Sequence, residues 1–207
     1  MFRAVLFDFD GTLTKPGAID FSVLRALIGC PPRAPILEFI EALEPEAARR
    51  EAVRALDEFE QAAARASVPN DGAEELIGLL KEHGIDRGIL SRNSMASIVE
   101  GMKCFRAISP ADFRAILSRE SPGRPKPHPD GVRAAARLFG IAPGDMLVVG
   151  DYVFDIAAGR AAGAATAFLT NRRAAPPMEA APDFTIDELG ELKAVLGLRA
   201  PATPPPR

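Results

Sequence analysis

Short apolar runs alternate with amphipathic stretches along most of the 207-residue chain, and this alternation constrains the fold more than any other feature. The runs predict five strands, at residues 2–8, 85–90, 113–118, 145–150 and 164–169. Helices are predicted between them at 72–82, 94–102, 129–139 and 153–162. Such alternation implies an α/β fold, with a Rossmann-like parallel sheet as a core that is flanked by helices on both faces.

Two carboxylates follow the first apolar run, in the stretch FDFDGTLT at residues 7–14. In an extended backbone Asp8 and Asp10 point to the same face, and their repulsion is costly unless a cation or a proton relieves it. Asp-Gly is also a hairpin-turn signal. A hairpin arm would alternate polar and apolar residues, whereas the run before Asp8 is apolar throughout. We therefore favour a functional site over a turn.

Polar residues follow three of the predicted strands. Asp8, Ser91 and Asp151 each lie at or just past the carboxyl end of a strand. Ligands of open α/β sheets bind at these ends. The convergence of the three residues predicts a binding or catalytic site at this edge of the sheet.

Residues 17–70 differ in character from the rest of the chain. No glycine occurs between Cys30 and Asp71, and prolines divide the segment into three or four helices. One helix is predicted to bury a face formed by Val53, Leu56, Phe59 and Ala63. The segment could be an elaborated first crossover, but it is longer than a crossover needs. We expect a small inserted α-helical cap at 17–70, an α/β core at 1–16 and 71–199, and a disordered tail at 200–207.

Charge and composition exclude several classes of partner. A net charge of −3 predicts no nucleic-acid binding, and no apolar run is long enough to span a membrane. No signal peptide is apparent, because Asp8 and Asp10 interrupt the first apolar run. Cys30 and Cys104 are isolated, which suits a reducing compartment. We expect a cytoplasmic protein whose oligomeric state the sequence leaves open.

Four motifs together carry a family resemblance. In chain order they are DFDGTLT at 8–14, LSRNS at 90–94, GRPKPHPD at 123–130 and GDYVFDIAAGRAAGA at 150–164. The chain resembles the haloacid dehalogenase-like hydrolase superfamily, and in particular its capped phosphatases of the phosphoglycolate phosphatase-like group. The resemblance covers residues 1 to about 170. It implies a phosphoric monoester hydrolase that acts on a small phosphorylated metabolite.

The acids of these motifs fit a magnesium site. Asp8 and Asp151 offer the carboxylate oxygens that Mg²⁺ prefers, and binding that ion would relieve the repulsion at the first strand. Asp155, one helical turn after Asp151, can complete or orient the metal shell. Capping of a helix N-terminus is the alternative interpretation of Asp151 and Asp155. In the resembled family the backbone carbonyl of Asp10 is a further metal ligand.

The first motif also predicts the covalent chemistry. Asp8 can act as the nucleophile that forms an aspartyl-phosphate, and Asp10 as the general acid and then the general base. Gly11 allows a tight turn and a close approach of the backbone to phosphate. Thr12 could bond back to Asp8 or satisfy the turn.

The second and third motifs supply candidate phosphate contacts. Ser91 could donate its hydroxyl to a phosphate oxygen, although it could instead cap the following helix. Lys126 stands between two prolines, and its ammonium could hold the phosphate and shield Asp8, if it is not simply a solvated surface lysine. Arg92 and Asn93 follow Ser91 within the second motif and are further candidate phosphate ligands.

Two alternative functions remain at this point. A phosphosugar mutase would use the same Asp8 and Asp10, and a protein of this fold could also be a non-catalytic binding module. A phosphonatase would need a cap lysine, which residues 16–80 lack. The cap carries six arginines as possible anion contacts, most of them expected on solvated helix faces: Arg25, Arg33, Arg49, Arg50, Arg54 and Arg65.

Overall fold

The computed structural model describes residues 2–18 and 20–198, so the predicted tail at 200–207 lies outside the described residues. Six strands form one sheet: β1 (Ala4–Phe7), β2 (Asp86–Leu90), β3 (Ala115–Leu117), β4 (Met146–Gly150), β5 (Ala165–Leu169) and β6 (Phe184–Ile186). The α-helices are α1 (Phe21–Ile28), α2 (Ile36–Glu41), α3 (Glu46–Arg65), α4 (Ala73–Glu82), α5 (Met95–Gly101), α6 (Asp130–Phe139), α7 (Val153–Ala162) and α8 (Leu192–Val195). The prediction of an α/β fold with a parallel sheet flanked by helices is confirmed.

The sheet has the strand order β3-β2-β1-β4-β5-β6, and every pair of neighbours is parallel. Strand β1 lies at the centre, where Phe7 pairs with Ile89 on one side and with Val149 on the other. The ends of β2, β1 and β4 therefore lie next to one another at the same edge of the sheet. This edge is where the sequence predicts the site.

Strand β1 is buried on both faces, which explains its apolar run. Val5 and Phe7 belong to one hydrophobic cluster, which includes residues of α4 and α5. Ala4 and Leu6 point the other way into a second cluster, which includes residues of α6 and α7. Successive side chains of a strand alternate between the two faces of a sheet, so a doubly covered strand is apolar at every position.

The five predicted strands and four predicted helices agree with the structure to within two residues at each end. The sequence analysis missed β6, a three-residue edge strand at Phe184–Ile186. A strand so short carries too little apolar pattern to stand out, and Ile186 is its one fully buried side chain.

Helices α1, α2 and α3 form a helical unit with its own hydrophobic cluster, which includes Leu24, Ile40 and Leu56. The Asp20 side chain accepts hydrogen bonds from the first turn of α1, and Gly29 ends that helix in a left-handed conformation. The predicted buried face of α3 is partly wrong, because Val53 is exposed.

The buried side of α3 instead begins at Ala52 and continues through Leu56, Glu60, Ala63 and Ala64. Successive turns of this face are three or four residues apart, as the helical period requires, and the last turn contributes both Ala63 and Ala64. The observed face shares Leu56 and Ala63 with the predicted one, but Ala52 and Glu60 are buried in place of Val53 and Phe59.

The chain enters and leaves the helical unit through two adjacent segments. Thr14 and Pro69 form an antiparallel bridge, and the Lys15 N–H donates to the Val68 carbonyl over 2.8 Å. The Asn70 N–H completes the pairing by donating to the Leu13 carbonyl. The unit is therefore connected to the sheet by a paired two-segment neck, which includes Thr14–Lys15 and Val68–Asn70.

Candidate active site

Three polar side chains meet at the ends of adjacent strands, as the sequence predicts. Asp8 follows β1, Ser91 follows β2 and Asp151 follows β4. All three line one cavity of about 530 Å³ between the sheet edge and the helical unit. This volume lies in the range typical of small-molecule sites.

Lys126 lies at the base of this cavity, 118 positions from Asp8 in sequence. Its Nζ donates to Asp8 Oδ1 and to Asp155 Oδ1, over 2.6 Å in each case. The alternative of a solvated surface lysine is wrong, since only 5% of the residue is exposed. Burial opposes the charged form, but the carboxylates of Asp155 and Asp8 outweigh it and raise the pKa of Lys126.

Three carboxylates form a cluster beside Lys126. One oxygen each of Asp8, Asp151 and Asp155 lies within 4.8 Å of the others. Burial, followed by the charges of Asp8 and Asp155, raises the pKa of Asp151 to about 8. One ammonium faces three acids, so the cluster is short of positive charge. Hard oxygen donors with excess negative charge suit Mg²⁺, and the residues therefore fit the predicted ion.

Two glycines let the backbone approach this cluster closely. Gly11 adopts a φ of 79°, and a Cβ at this position would collide with the Asp151 carboxylate. A Cβ at Gly150 would likewise collide with the carboxylate of Asp155. The turn at Phe9–Leu13 thus passes directly against the acids, which explains the glycine in the first motif.

Asp10 has surroundings different from those of Asp8. Its carboxylate accepts a short hydrogen bond from Asn93 Nδ2 and a 3.3 Å bond from the Thr14 hydroxyl. Burial, then the charge of Asp8, raises the pKa of Asp10 to about 6, although these hydrogen bonds and Lys126 oppose the shift. A carboxyl group with this pKa can both give and take a proton near neutral pH. The predicted phosphate ligand Asn93 is engaged with Asp10.

Ser91 is buried at the cavity wall. Its hydroxyl oxygen accepts a hydrogen bond from the Asn93 N–H over 3.1 Å. The alternative interpretation of Ser91 as a helix cap is wrong, since α5 is capped by Ser94, whose hydroxyl accepts from the Ser97 N–H. The proton of the Ser91 hydroxyl is therefore available for a ligand.

Arg92 makes contacts with the helical unit and the core. Its guanidinium binds both carboxylate oxygens of Glu38 on α2, with a shortest distance of 2.7 Å, and donates to the backbone carbonyl of Lys126. It also stacks over Phe154, 5.0 Å from the ring centroid. The Arg92 guanidinium, which the sequence predicts as a phosphate ligand, therefore binds groups of the protein itself.

Two further predictions concern Thr12 and the capping role of the acids. Thr12 is fully buried, and its hydroxyl has no hydrogen-bond partner among the described residues, so it makes neither of the two predicted bonds, to Asp8 or within the turn. Asp155 does cap α7, since Oδ2 accepts from the Tyr152 N–H, while Oδ1 binds Lys126. Across residues 2–18 and 20–198, the Asp151 carboxylate accepts no such bond, and the capping interpretation is wrong for it.

The sequence analysis missed two asparagines that hold the first motif. Asn171 donates to the Gly11 carbonyl over 2.7 Å, and Asn70 donates to the Thr12 carbonyl over 2.9 Å. Asn70 also donates to Asn171 Oδ1. Asn171 lies just past the end of β5, so the rule that selected Asp8, Ser91 and Asp151 could have found it too.

A second polar contact between the helical unit and the core was also missed. Glu60 of α3 is buried, accepts from the Ser94 N–H and pairs with Arg119 over 2.6 Å. Burial raises the pKa of Glu60 despite this partner. A charged residue among the alanines of an amphipathic helix gives no sequence signal that distinguishes it from solvated neighbours.

Comparisons with known proteins identify the family. The family model described as haloacid dehalogenase-like hydrolase matches residues 2–163. The chain is 34% identical over 171 residues to an uncharacterised hydrolase of Saccharomyces cerevisiae. The alignment covers 82% of this chain and 78% of the relative. The chain therefore belongs to the haloacid dehalogenase-like hydrolases, and the resemblance carried by its motifs is confirmed.

One other relative agrees with this assignment, and a solved structure shares the fold. An N-acetylmuramic acid 6-phosphate phosphatase of Pseudomonas aeruginosa is 30% identical over 80% of each chain. The crystal structure of a hydrolase from Pseudomonas syringae superposes on this structure with a TM-score of 0.75 at 20% sequence identity. The superposition covers 96% of this chain and 100% of the hydrolase. The prediction of an enzyme, a phosphoric monoester hydrolase of this family, is confirmed at the level of class.

The helices of the described residues are all too short or too polar to cross a bilayer.

Proposed function

We propose that the protein is a Mg²⁺-dependent phosphatase that hydrolyses a small-molecule phosphomonoester through an aspartyl-phosphate on Asp8. The observation that carries the proposal is the pair of acids with different surroundings at the cavity. The Asp8 carboxyl group pairs with the Lys126 ammonium over 2.6 Å, whereas burial raises the pKa of Asp10 to about 6. A relative that acts on a sugar phosphate supports the class of substrate.

Asp8, Asp151 and the backbone carbonyl of Asp10 would hold the Mg²⁺. Asp155 would orient the shell through its neighbours, because its two oxygens already bind Lys126 and the Tyr152 N–H. When bound, the ion would supply charge neutralisation for the transferring phosphoryl group.

In the first step a carboxylate oxygen of Asp8 attacks phosphorus, and the bond to the ester oxygen breaks. The leaving oxygen takes the electron pair of that bond and a proton from Asp10. The Ser91 hydroxyl would donate to a phosphate oxygen, and the Lys126 ammonium holds the Asp8 side chain in position through its 2.6 Å contact. The Asn93 amide holds the Asp10 carboxyl in position.

In the second step Asp10 takes a proton from water as the water oxygen attacks the phosphorus of the acyl phosphate. The bond between phosphorus and Asp8 breaks, which releases inorganic phosphate and restores both carboxyl groups to their starting states. Release of phosphate to water also distinguishes this reaction from transfer within a sugar, as in a mutase.

We also propose that residues 17–70 form a cap that selects the substrate, with the core at 1–16 and 71–199. The paired neck at Thr14–Lys15 and Val68–Asn70 supports these boundaries, since the chain leaves and rejoins the sheet at one place. The separate hydrophobic cluster of the three helices supports them as well. The unit contributes Ile36, Leu37 and Leu56 to the lining of the cavity that the acids also line.

Substitution of the two acids tests the mechanism. Asp8→Asn is expected to abolish turnover, because an amide is a poor nucleophile. Asp10→Asn keeps the nucleophile, and hydrolysis of its phosphoenzyme should slow by about 10²–10⁴-fold. Intact-protein mass after an acid quench should show phosphate on Asp10→Asn and none on Asp8→Asn. Phosphate on Asp8→Asn, or on another residue of the wild type, would overturn the mechanism.

Metal removal tests the cofactor. Hydrolysis of 4-nitrophenyl phosphate is expected to fall to background in excess chelator and to return when Mg²⁺ is added in excess. Ca²⁺ should not restore it, because the larger ion takes more ligands at longer distances and would loosen the attack geometry. Undiminished turnover in chelator contradicts the assignment of a magnesium site.

A further inference from the structure

Two asparagines from distant parts of the chain bind the turn at Phe9–Leu13. The Asn171 amide donates to the Gly11 carbonyl over 2.7 Å. The Asn70 amide donates to the Thr12 carbonyl over 2.9 Å, and the Asn70 N–H donates to the next carbonyl along the chain, also over 2.9 Å. Three consecutive carbonyls of this turn are therefore held by two residues.

The two side chains are also bound to each other. Asn70 Nδ2 donates to Asn171 Oδ1 over 3.0 Å, in addition to its bond with the turn. Asn70 Oδ1 accepts from the Asp71 N–H over 2.9 Å. Both asparagines are half-buried, but neither is among the described residues that line the active-site cavity. The two amides thus contact the turn rather than the space available to a substrate.

Asn171 has a left-handed backbone conformation. Its φ is 52° and that of Arg172 is 60°, and these two are the non-glycine residues with positive φ among those described. Such conformations cost free energy and persist where surrounding contacts impose them, often at functional sites. Asparagine tolerates this region better than most residues do. The conformation and the bond to Gly11 together distinguish Asn171 from an ordinary surface-loop residue.

The turn carries Asp10, whereas Asp8 is held by the sheet. Asp8 follows β1 directly, and its N–H donates to the Val149 carbonyl of β4 over 2.8 Å. Asp10 lies beyond the sheet, immediately before the carbonyls that the asparagines bind. Its carboxylate is held by Asn93 and Thr14, but the position of its backbone depends on the turn. Loss of the bonds from the asparagines should therefore displace Asp10 more than Asp8.

We propose that Asn70 and Asn171 are positioning residues that place the Asp10 carboxyl group for proton transfer to the leaving oxygen. This inference rests on the proposed function, because it assigns the groups that align its general acid. Neither amide exchanges a proton, and both act through the carbonyls that they hold. Asn70 also belongs to the neck, so the turn is bound directly to the segment that carries the helical unit.

The basicity of the leaving group tests this role. The probes are 4-nitrophenyl phosphate, which releases an acidic phenol, and benzyl phosphate, which releases a basic alcohol of similar size, both assayed with Mg²⁺. Benzyl phosphate needs a proton from Asp10 as its bond to phosphorus breaks, whereas 4-nitrophenyl phosphate needs little help. The ratio of kcat/KM between the two esters therefore measures the alignment of the acid. This ratio does not depend on the folded fraction of a preparation, which is what a merely structural role would change.

Removal of either amide should raise the preference for 4-nitrophenyl phosphate. Asn171→Gly keeps the left-handed backbone, Asn171→Asp keeps the size of the side chain, and Asn70→Ala removes the second amide. In each variant the ratio is expected to rise at least about tenfold, since displacement of a reacting group by about 1 Å can cost 10²-fold in rate. Arg172→Gly is the matched control, because it makes the same exchange at the neighbouring left-handed residue, whose side chain pairs with Glu188. It should keep the wild-type ratio.

The same measurements separate this proposal from the proposed function. If the wild type hydrolyses both esters and the Asn171 and Asn70 variants keep its ratio, this inference fails and the phosphatase proposal stands. An equal loss of activity on both esters counts as such a result, because the asparagines would then only support the fold. A ratio raised as much in Arg172→Gly as in Asn171→Gly would also overturn the inference. If the wild type hydrolyses neither ester, the phosphatase proposal fails and this inference fails with it.

Discussion

The sheet edge and the helical unit line the same cavity, but they are held by different interactions. Asp8, Ser91 and Asp151 follow adjacent strands whose backbones are hydrogen-bonded to one another and buried on both faces. The helical unit meets the core through the neck and through polar pairs such as Glu38 with Arg92 and Glu60 with Arg119. Backbone ladders in a buried sheet fix positions closely, whereas a partly exposed ion pair such as that of Glu38 with Arg92 contributes little net free energy.

This difference suggests a division of tasks between the two regions. The acids need accurate placement, because displacement of reacting groups by about 1 Å can cost 10²-fold in rate. The cap that we propose would have to let substrate in and product out, so contacts that are individually weak would serve it well. We therefore expect substitutions at the sheet edge to reduce catalysis and substitutions in the helical unit to change local stability or affinity.

The largest effect is expected for Gly11→Ala. The added Cβ would collide with the Asp151 carboxylate, in a backbone conformation with a φ of 79° that alanine adopts poorly. Turnover of 4-nitrophenyl phosphate should fall by about 10²-fold or more, because the acids are displaced. Gly78→Ala is the matched control, since nothing lies within 4 Å of its Cβ in α4, and it should keep full activity. Near wild-type activity of Gly11→Ala would show that the turn tolerates displacement.

An intermediate effect is expected for Leu24→Ala in the cluster of the helical unit. Leu24 is fully buried, and truncation of such a side chain typically costs about 2–5 kcal/mol. Because this cluster is separate from those of the sheet, hydrogen exchange should speed up in α1–α3 and leave β1 and β4 protected. Leu147→Ala in β4 is the counterpart that should lower protection throughout. Equal deprotection of sheet and helices by Leu24→Ala would mean that the two regions unfold as one.

The smallest effect is expected for Glu38→Gln. The pair with Arg92 is partly exposed, at 39% and 19% of the two side chains, so its loss should cost about 1 kcal/mol, or about fivefold in KM. The control is Glu46→Gln, whose pair with Arg50 is 65% exposed on both sides and should have no measurable effect. Steady-state kinetics at low and high salt give both values. A loss of kcat rather than of affinity would mean that Glu38 and Arg92 support catalysis, as we expect only of residues at the sheet edge.

The family and much of the site could be predicted from the sequence because the signals were local. The apolar run before Asp8 and the spacing of Asp8, Asp10 and Gly11 depend on neighbouring residues alone. Strand ends on a parallel sheet meet at one edge, which brought Ser91 and Asp151 into the predicted site without any coordinates. The parallel sheet and the family assignment are the parts of this prediction that are confirmed.

Side-chain partners were harder to predict than positions. Arg92 and Asn93 are predicted phosphate ligands, but in the structure Arg92 pairs with Glu38 and the Asn93 amide donates to Asp10. A charged or amide side chain has several possible partners within reach. Which of them it binds depends on residues that are distant in sequence. The same limit concealed Asn171, whose amide reaches Gly11 across 160 positions.

The sequence by itself determined the order of strands and helices, the strand-end acids and the glycine that lets the backbone pass them, since each follows from periodicity and local backbone chemistry. Tertiary structure alone decided that the Lys126 ammonium lies between Asp8 and Asp155, and that burial separates the pKa values of Asp10 and Asp151 from those of ordinary carboxyl groups. The physical reason is that desolvation and ion pairing depend on everything within a few ångströms, and folding brings those neighbours from across the whole chain.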